Sequence, residues 1–183
     1  MKLLMHMCCG PCSIYPLASL REQGHEVMGL FYNPNIHPYQ EFSRRLETLK
    51  DWADQENLKV IVDEDYQLEE FLRQVAYREG HRCQVCYATR LKKAAQFAKA
   101  GHFDGFTTSL LVSPFQKHEL IKQIGESIAE ENGIPFYYED FRTGFKQGVE
   151  TSKAREMYRQ QYCGCIFSER DRYRPNKKVT GKK

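Results

Sequence analysis

Leu3-Leu4-Met5-His6-Met7-Cys8-Cys9-Gly10-Pro11-Cys12-Ser13, followed by Ile14 to Gln23 and a closing Gly24, is the stretch that decides the fold. Leu3 to Met7 is a short apolar run ended by turn-forming residues, the signature of a buried strand. Ile14 to Gln23 carries a helical pattern, and Gly24 stops it. Between them Cys8–Ser13 reads as a loop.

The same alternation continues outward. Strands are expected at Glu26–Tyr32, Lys59–Val62, Asp104–Leu110 and Pro135–Tyr138. Helices are expected at Tyr39–Glu56, Leu68–Arg78, Gln84–Lys99, Phe115–Glu131 and Val149–Gln161. Strands alternating with helices imply an α/β fold, a doubly wound parallel sheet of about five strands covered on both faces. Such sheets carry their chemistry beyond the carboxyl ends of the strands, where the strand order reverses. The loop after the first strand is the usual occupant of that place. Here the loop holds Cys8, Cys9 and Cys12.

The chain has 183 residues, enough for one domain with a real core. We expect a single domain over residues 1–170 and a basic C-terminal tail over residues 171–183. No apolar run approaches the ~18 residues of a membrane span. The apolar start, MKLLMHMCC, is too short for a signal peptide and no small-residue cleavage site follows it. A cytoplasmic protein is therefore expected. The net charge of +3 does not by itself demand a nucleic-acid partner. The charge is uneven, however: Arg170, Arg172, Arg174, Lys177, Lys178, Lys182 and Lys183 face only Asp171 near the end. That run is either a solvated tail or a phosphate contact.

Seven cysteines stand in three groups: Cys8, Cys9 and Cys12; Cys83 and Cys86; Cys163 and Cys165. Cytosolic thiols are kept reduced, so clustered cysteines there bind metal or do redox chemistry more often than they form disulfides. Cys-x-x-Cys lets two thiolates converge on one centre, and amides at a helix start favour the anionic ligand form. Buried structural cysteines rarely occur as adjacent or i,i+2 pairs. A four-cysteine zinc site with spare thiols and a thioredoxin-like Cys9/Cys12 dithiol are the competing readings. Seven thiols exceed the four that one iron–sulfur cluster needs, which suggests a second metal or redox-active thiols beside it.

The six histidines make no metal pattern. His6 belongs to the first strand, and His37 and His81 lie in loops within reach of the site. No phosphate loop of the Walker or dinucleotide type is present, so nothing points to ATP or NAD. Polar and aromatic residues crowd the strand ends: Tyr32, Asn33 and Asn35; Thr107, Thr108, Ser109 and Ser113; Tyr158, Arg159, Gln160 and Tyr162. Aromatics interleaved with arginine suit a nucleobase and its phosphate.

Five segments, HMCCGPCS, FYNPNIHPYQEF, RCQVCYATRL, FDGFTTSLLVSP and YRQQYCGCIFS, occur in that order over nearly the whole domain. As an ordered set they resemble the cobalamin-independent epoxyqueuosine reductase family. The resemblance implies a sheet similar to the adenine-nucleotide alpha-hydrolase type. It also implies an oxidoreductase of tRNA processing: the epoxide of epoxyqueuosine, at the wobble position of tRNA with a GUN anticodon, becomes the alkene of queuosine with loss of water. On the matching positions, Cys8, Cys9, Cys83 and Cys86 would hold a [4Fe–4S] cluster. Cys163 and Cys165 would hold a neighbouring single metal ion, iron. Cys12, an Asp in some relatives, would contact that ion, so Cys12, Cys163 and Cys165 are the expected catalytic residues. An external electron donor of ferredoxin or flavodoxin type is implied, and no membrane. Tyr32, His37 and Tyr162 are candidate proton donors. Two other readings fit part of the pattern: a zinc- or iron–sulfur-stabilised RNA-binding module, and another tRNA-modifying enzyme of the same fold.

Overall fold

The structure is a computed structural model that describes residues 1–174. Strands β1 (Lys2–His6), β2 (Glu26–Phe31), β3 (Val60–Val62) and β4 (Gly105–Thr108) form one sheet in the order β3-β2-β1-β4, with every pairing parallel. Leu3, Leu4, Met5 and His6 are wholly buried because β1 is central and covered on both faces. This is why its sequence reads as one apolar run rather than an alternation. Leu3 pairs with Val27 on one side and Gly105 on the other.

The helices are α1 (Gly10–Glu22), α2 (Tyr39–Gln55), α3 (Leu68–Val75), α4 (Arg82–Ala100), α5 (His118–Asn132), α6 (Phe145–Ala154) and α7 (Ile166–Tyr173). The chain winds outward from β1 through β2 to β3, then returns to β4 on the far side of β1. Right-handed crossovers then place α1 and α2 on one face and α4 on the other. In agreement, α1 packs against α2 and α6, and α4 packs against α5. The strand order reverses between β1 and β4, so the crevice of the fold opens past His6 and Thr108.

Several boundaries differ from the sequence reading, each for a physical reason. α1 begins at Gly10 rather than Ile14, because Pro11 fits the first turn, where its missing N–H is not needed. Cys12 is therefore helical, not in a loop. The expected fifth strand, Pro135–Tyr138, is reduced to one bridge between Phe136 and Phe106. Phe106 N–H donates to Pro135 O at 3.0 Å and Tyr137 N–H to Phe106 O at 2.8 Å, and Pro135 has no N–H to extend the ladder. The last expected helix, Val149–Gln161, runs instead from Phe145 to Ala154, and α7 follows it unannounced. α7 carries the chain across the expected domain boundary at Arg170. Residues 175–183, with the four tail lysines, lie outside the described residues. Among the described residues no helix is long and apolar enough to cross a membrane.

Candidate active site

Met7 continues in line with β1, its N–H donating to Leu30 O at 2.8 Å. Cys8 is the first residue beyond the sheet. Its N–H donates to Ser109 Oγ at 3.3 Å, and that oxygen lies 3.7 Å from Cys8 Sγ. The ends of β1 and β4 are thus tied together at the point where the strand order reverses. Cys9 is the N-cap of α1 in extended conformation, and Cys12 stands in the first helical turn. The free amides and dipole at this helix start favour anionic sulfur.

The sulfurs of Cys8, Cys9 and Cys12 lie within 4.8 Å of one another, and Cys8 Sγ stands 3.8 Å from Cys9 Sγ. Gln160 spans the group: its Oε1 is 3.3 Å from Cys9 Sγ and its Nε2 donates to Cys12 Sγ at 3.1 Å. Hydrogen bonds from Cys12 and then Cys9 hold the Cys8 thiol well below its ordinary value. Its hydrogen bond to Cys8 pushes Cys12 up, and burial pushes Cys9 up. Of the three thiols, Cys8 is therefore the one that most readily becomes a thiolate.

Cys83 and Cys86 start α4 on one helical stripe that continues to Arg90. Arg90 Nη2 donates to Cys86 Sγ at 2.9 Å. Burial nonetheless pushes the Cys86 thiol up to about 12. Cys86 and Cys165 share a small apolar cluster with Phe71 and Val75. Cys163 Sγ accepts from Gln116 Nε2 at 3.2 Å, and Cys165 caps α7.

A cavity of about 390 Å³ opens over these thiols. Cys8, Cys12 and Cys163 line it, with Gln160 and Tyr162 on one side and Ser113, Phe115 and Phe145 on another. Arg159 and Arg172 supply positive charge to its wall. Phe115 is 84% exposed, and its ring meets Phe145 edge-on at 5.8 Å.

The structure thus brings Cys8, Cys9 and Cys12 together directly and turns Cys163 toward the same cavity. Cys83, Cys86 and Cys165 stand outside that triangle. Among the described residues no other three metal-binding side chains converge as closely. The reason is topological: Cys12 rides on α1 and Cys83 and Cys86 on α4, and these helices cover opposite faces of the sheet. Of the three candidate proton donors only Tyr162 lines the cavity. Burial pushes its phenol up to about 12, and its O–H donates to His37 O at 2.6 Å. Tyr32 donates instead to Gln67 Oε1 at 3.2 Å, and His37 is buried with Nε2 against Pro34 O at 3.1 Å. His6 is packed as expected, between Thr108 Oγ1 at 2.9 Å and Tyr32 O at 3.2 Å. Asn33 braces the strand end through Met7 O at 2.9 Å. Arg45, Arg90, Gln116, Phe115 and Phe145 were not anticipated as parts of the site.

A metal ion fits the nearest pair of this donor set. An ion bonded to two thiolates at ~2.3 Å in tetrahedral geometry holds their sulfurs ~3.8 Å apart, and Cys8 and Cys9 already stand at 3.8 Å. The cysteines are all free.

Comparison with known proteins identifies the family. The family model described as epoxyqueuosine reductase QueH matches residues 3–171. The epoxyqueuosine reductase QueH of Dehalococcoides mccartyi is 36% identical over 96% of this chain and 97% of its own length. That of Thermotoga maritima is 32% identical over 99% of this chain and 97% of its own length. A solved structure described as a predicted subunit of tRNA methyltransferase from Methanocaldococcus jannaschii superposes with a TM-score of 0.58 at 14% identity. It covers 84% of this chain and 74% of that one, and at this identity it speaks for the fold alone. Matched over nearly its whole length, with the thiols gathered at the sheet's carboxyl end, the chain belongs to the epoxyqueuosine reductase family.

Proposed function

We propose that this chain reduces the epoxide of epoxyqueuosine in tRNA to the alkene of queuosine, without cobalamin. The observation that carries the reading is the cavity floored by Cys8, Cys12 and Cys163 and edged by Phe115, Arg159 and Arg172. Its volume falls within the ~300–1,000 Å³ usual for small-molecule sites. The reaction consumes two electrons and two protons and releases the epoxide oxygen as water.

The residues divide the work as follows. Phe115 offers a ring face on which a base extruded from the anticodon can stack. Arg159 and Arg172 meet the flanking phosphates of a tRNA with a GUN anticodon. Gln160 and Gln116 orient Cys12 and Cys163 by donating to their sulfurs. Tyr162 lines the cavity and, with its O–H donated to His37 O, fixes the segment that carries Cys163. Cys8, Cys9, Cys83 and Cys86 would hold a [4Fe–4S] cluster, and Cys12, Cys163 and Cys165 a single iron. Bound there, these groups supply single electrons and a Lewis-acidic position for oxygen. An external carrier of ferredoxin or flavodoxin type would deliver the electrons, in the cytoplasm.

The test is anaerobic incubation of the reconstituted protein with epoxyqueuosine-containing tRNA and a reductant, followed by nucleoside mass spectrometry. Queuosine is expected. A colourless protein that holds zinc and leaves the epoxide intact would return the chain to the RNA-binding reading.

A further inference from the structure

Two arginines are almost completely buried, Arg45 and Arg90, each 1% exposed. Arg45 has the partner that burial demands, Glu41, at 2.6 Å. Arg90 has none of that kind: among the described residues no carboxylate pairs with it. Its Nε donates to Cys86 O at 3.2 Å and its Nη2 to Cys86 Sγ at 2.9 Å, and the Tyr87 ring lies 5.8 Å from the guanidinium carbon. A guanidinium does not shed its proton to escape burial. Its charge must be met by an anion in the same dry region. The charged or ionisable groups that act on Arg90 are Cys86, Cys163, Cys8 and Tyr87. Three of these four are thiols, and thiols lose their protons when they bind metal.

We propose that Arg90 is the resident counter-cation of the metal–thiolate centre. It donates to the Cys86 sulfur in its thiolate form and offsets the negative charge that several thiolates bring into a buried site. A centre so neutralised accepts an electron more readily and releases its metal more slowly. The stripe Cys83, Cys86, Arg90 on α4 delivers ligands and counter-charge from one rigid helix. The proposal rests on the reading of the thiols as a metal centre and adds to it a residue that no ligand pattern assigns.

The experiment compares wild type, Arg90→Lys and Arg90→Met, each reconstituted anaerobically with iron and sulfide. Three quantities are read: the midpoint potential by a redox titration followed by electron paramagnetic resonance, the rate of iron loss to a chelator, and the urea midpoint of the metal-free protein. In Arg90→Met we expect a more negative potential and iron loss faster by ~10–100-fold, the usual effect of losing a partner just outside the ligand shell. The metal-free Arg90→Met protein should unfold at the same urea concentration as wild type or higher, because a buried charge has gone. Arg90→Lys keeps the charge without the planar fork and should fall between. If Arg90→Met does not fold, Arg90→Lys decides by the same potential and iron-loss readings. A wild-type potential and iron-loss rate in the variants would overturn the proposal and leave the metal centre standing. So would equal destabilisation of the loaded and metal-free proteins, which marks a packing role. A wild-type chain that takes up no iron would overturn the metal-centre reading and this proposal together.

Discussion

Arg45 and Glu41, one turn apart on α2, form an ion pair of 2.6 Å whose side chains are 1% and 6% exposed. The pair faces the far end of the chain. Arg45 Nη1 donates to Cys163 O at 3.0 Å and Nη2 to Tyr162 O at 2.9 Å. The other carboxylate oxygen of Glu41 accepts from the Tyr158 hydroxyl. α2 therefore grips the segment that carries Cys163 and Cys165. Gly164 makes the close approach possible: its φ is +144°, and a Cβ there would stand 3.3 Å from Arg45 Nη1.

Breaking one member of this pair should be costly. Removing either partner of a buried ion pair typically destabilises by ~3–5 kcal/mol, because the survivor stays charged and unpaired. Arg45→Met and Glu41→Gln should each lower the stability of the metal-free protein by about that amount in urea unfolding. Iron uptake should fall as well, since Cys163 is no longer held over the cavity. A loss below ~1 kcal/mol in both variants, the range of exposed pairs, would show that the pair does not anchor this segment.

The contrast between legible and illegible parts is physical. β1 was readable because burial on both faces leaves an uninterrupted apolar run, and the thiols because their spacing is itself a chemical signal. Arg45 and Arg90 were not, although each stands four residues after its partner, Glu41 and Cys86. That spacing places two residues on one helix face, but only tertiary packing decides whether the face is solvated or sealed. Phe115 is read from the sequence as the first residue of a helix, but α5 begins at His118, so Phe115 stands on the loop before it and its exposure carries no sequence signal. Which thiols can share a centre depends on how helices from opposite faces meet over the sheet end, which local sequence does not encode.

Phe115 should matter for substrate and not for stability. It is 84% exposed, so truncation removes little buried surface. Stacking a base on an aromatic ring is worth ~1–3 kcal/mol by alanine substitution. Phe115→Ala should therefore weaken tRNA binding by ~5- to ~150-fold in fluorescence anisotropy at fixed salt, with an unchanged melting curve. Phe115→Tyr should retain binding. Equal affinity of the alanine variant and wild type would remove Phe115 from the base platform.

His37 predicts acid sensitivity. Burial pushes its imidazole down from 6.5 to about 4. Its Nε2 faces Pro34 O, its ring packs on Phe71 at 5.1 Å between centroids, and Nδ1 has no hydrogen-bond partner. Protonation would bury an N–H and a charge with nothing to accept them. In the unfolded chain the ring protonates near 6.5, so below that value the unfolded state binds more protons. Stability present above pH 6.5 is then lost as the pH falls toward 4, by up to ~1.4 kcal/mol per pH unit for one proton. Urea midpoints of the metal-free protein should fall over that window, and His37→Gln should flatten the fall. An unchanged slope in the variant would mean that other groups govern the acid limb.

The seven thiols should separate by experiment into two classes, those that hold the iron–sulfur cluster and those that hold a single ion. Cys8, Cys12 and Cys163 line the cavity, whereas Cys83, Cys86 and Cys165 do not. Cys165 stands two residues from Cys163, with Gly164 between them to let the backbone turn. Cys12 and Cys163, with Cys165 beside them, are placed to hold the ion that grips an epoxide oxygen, and Cys8 borders the same cavity from the cluster side. Thiolates set back on α4, Cys86 buried and Cys83 half-buried, are placed to hold an electron store away from the substrate. Cys83→Ser and Cys86→Ser should therefore abolish the visible iron–sulfur absorption, because a cluster missing one thiolate is unstable. Cys12→Ala, Cys163→Ser and Cys165→Ser should leave that absorption largely intact while epoxide reduction falls by orders of magnitude, since the remaining centre has no hold on the oxygen. The measurements are paired on the same samples: iron and sulfide content with electron paramagnetic resonance, and turnover by nucleoside mass spectrometry. Activity surviving in all three cavity variants would show that the second centre takes no part in the chemistry. Loss of the cluster in Cys12→Ala alone would draw Cys12 into the cluster with Cys8 and Cys9, whose sulfurs it approaches within 4.8 Å.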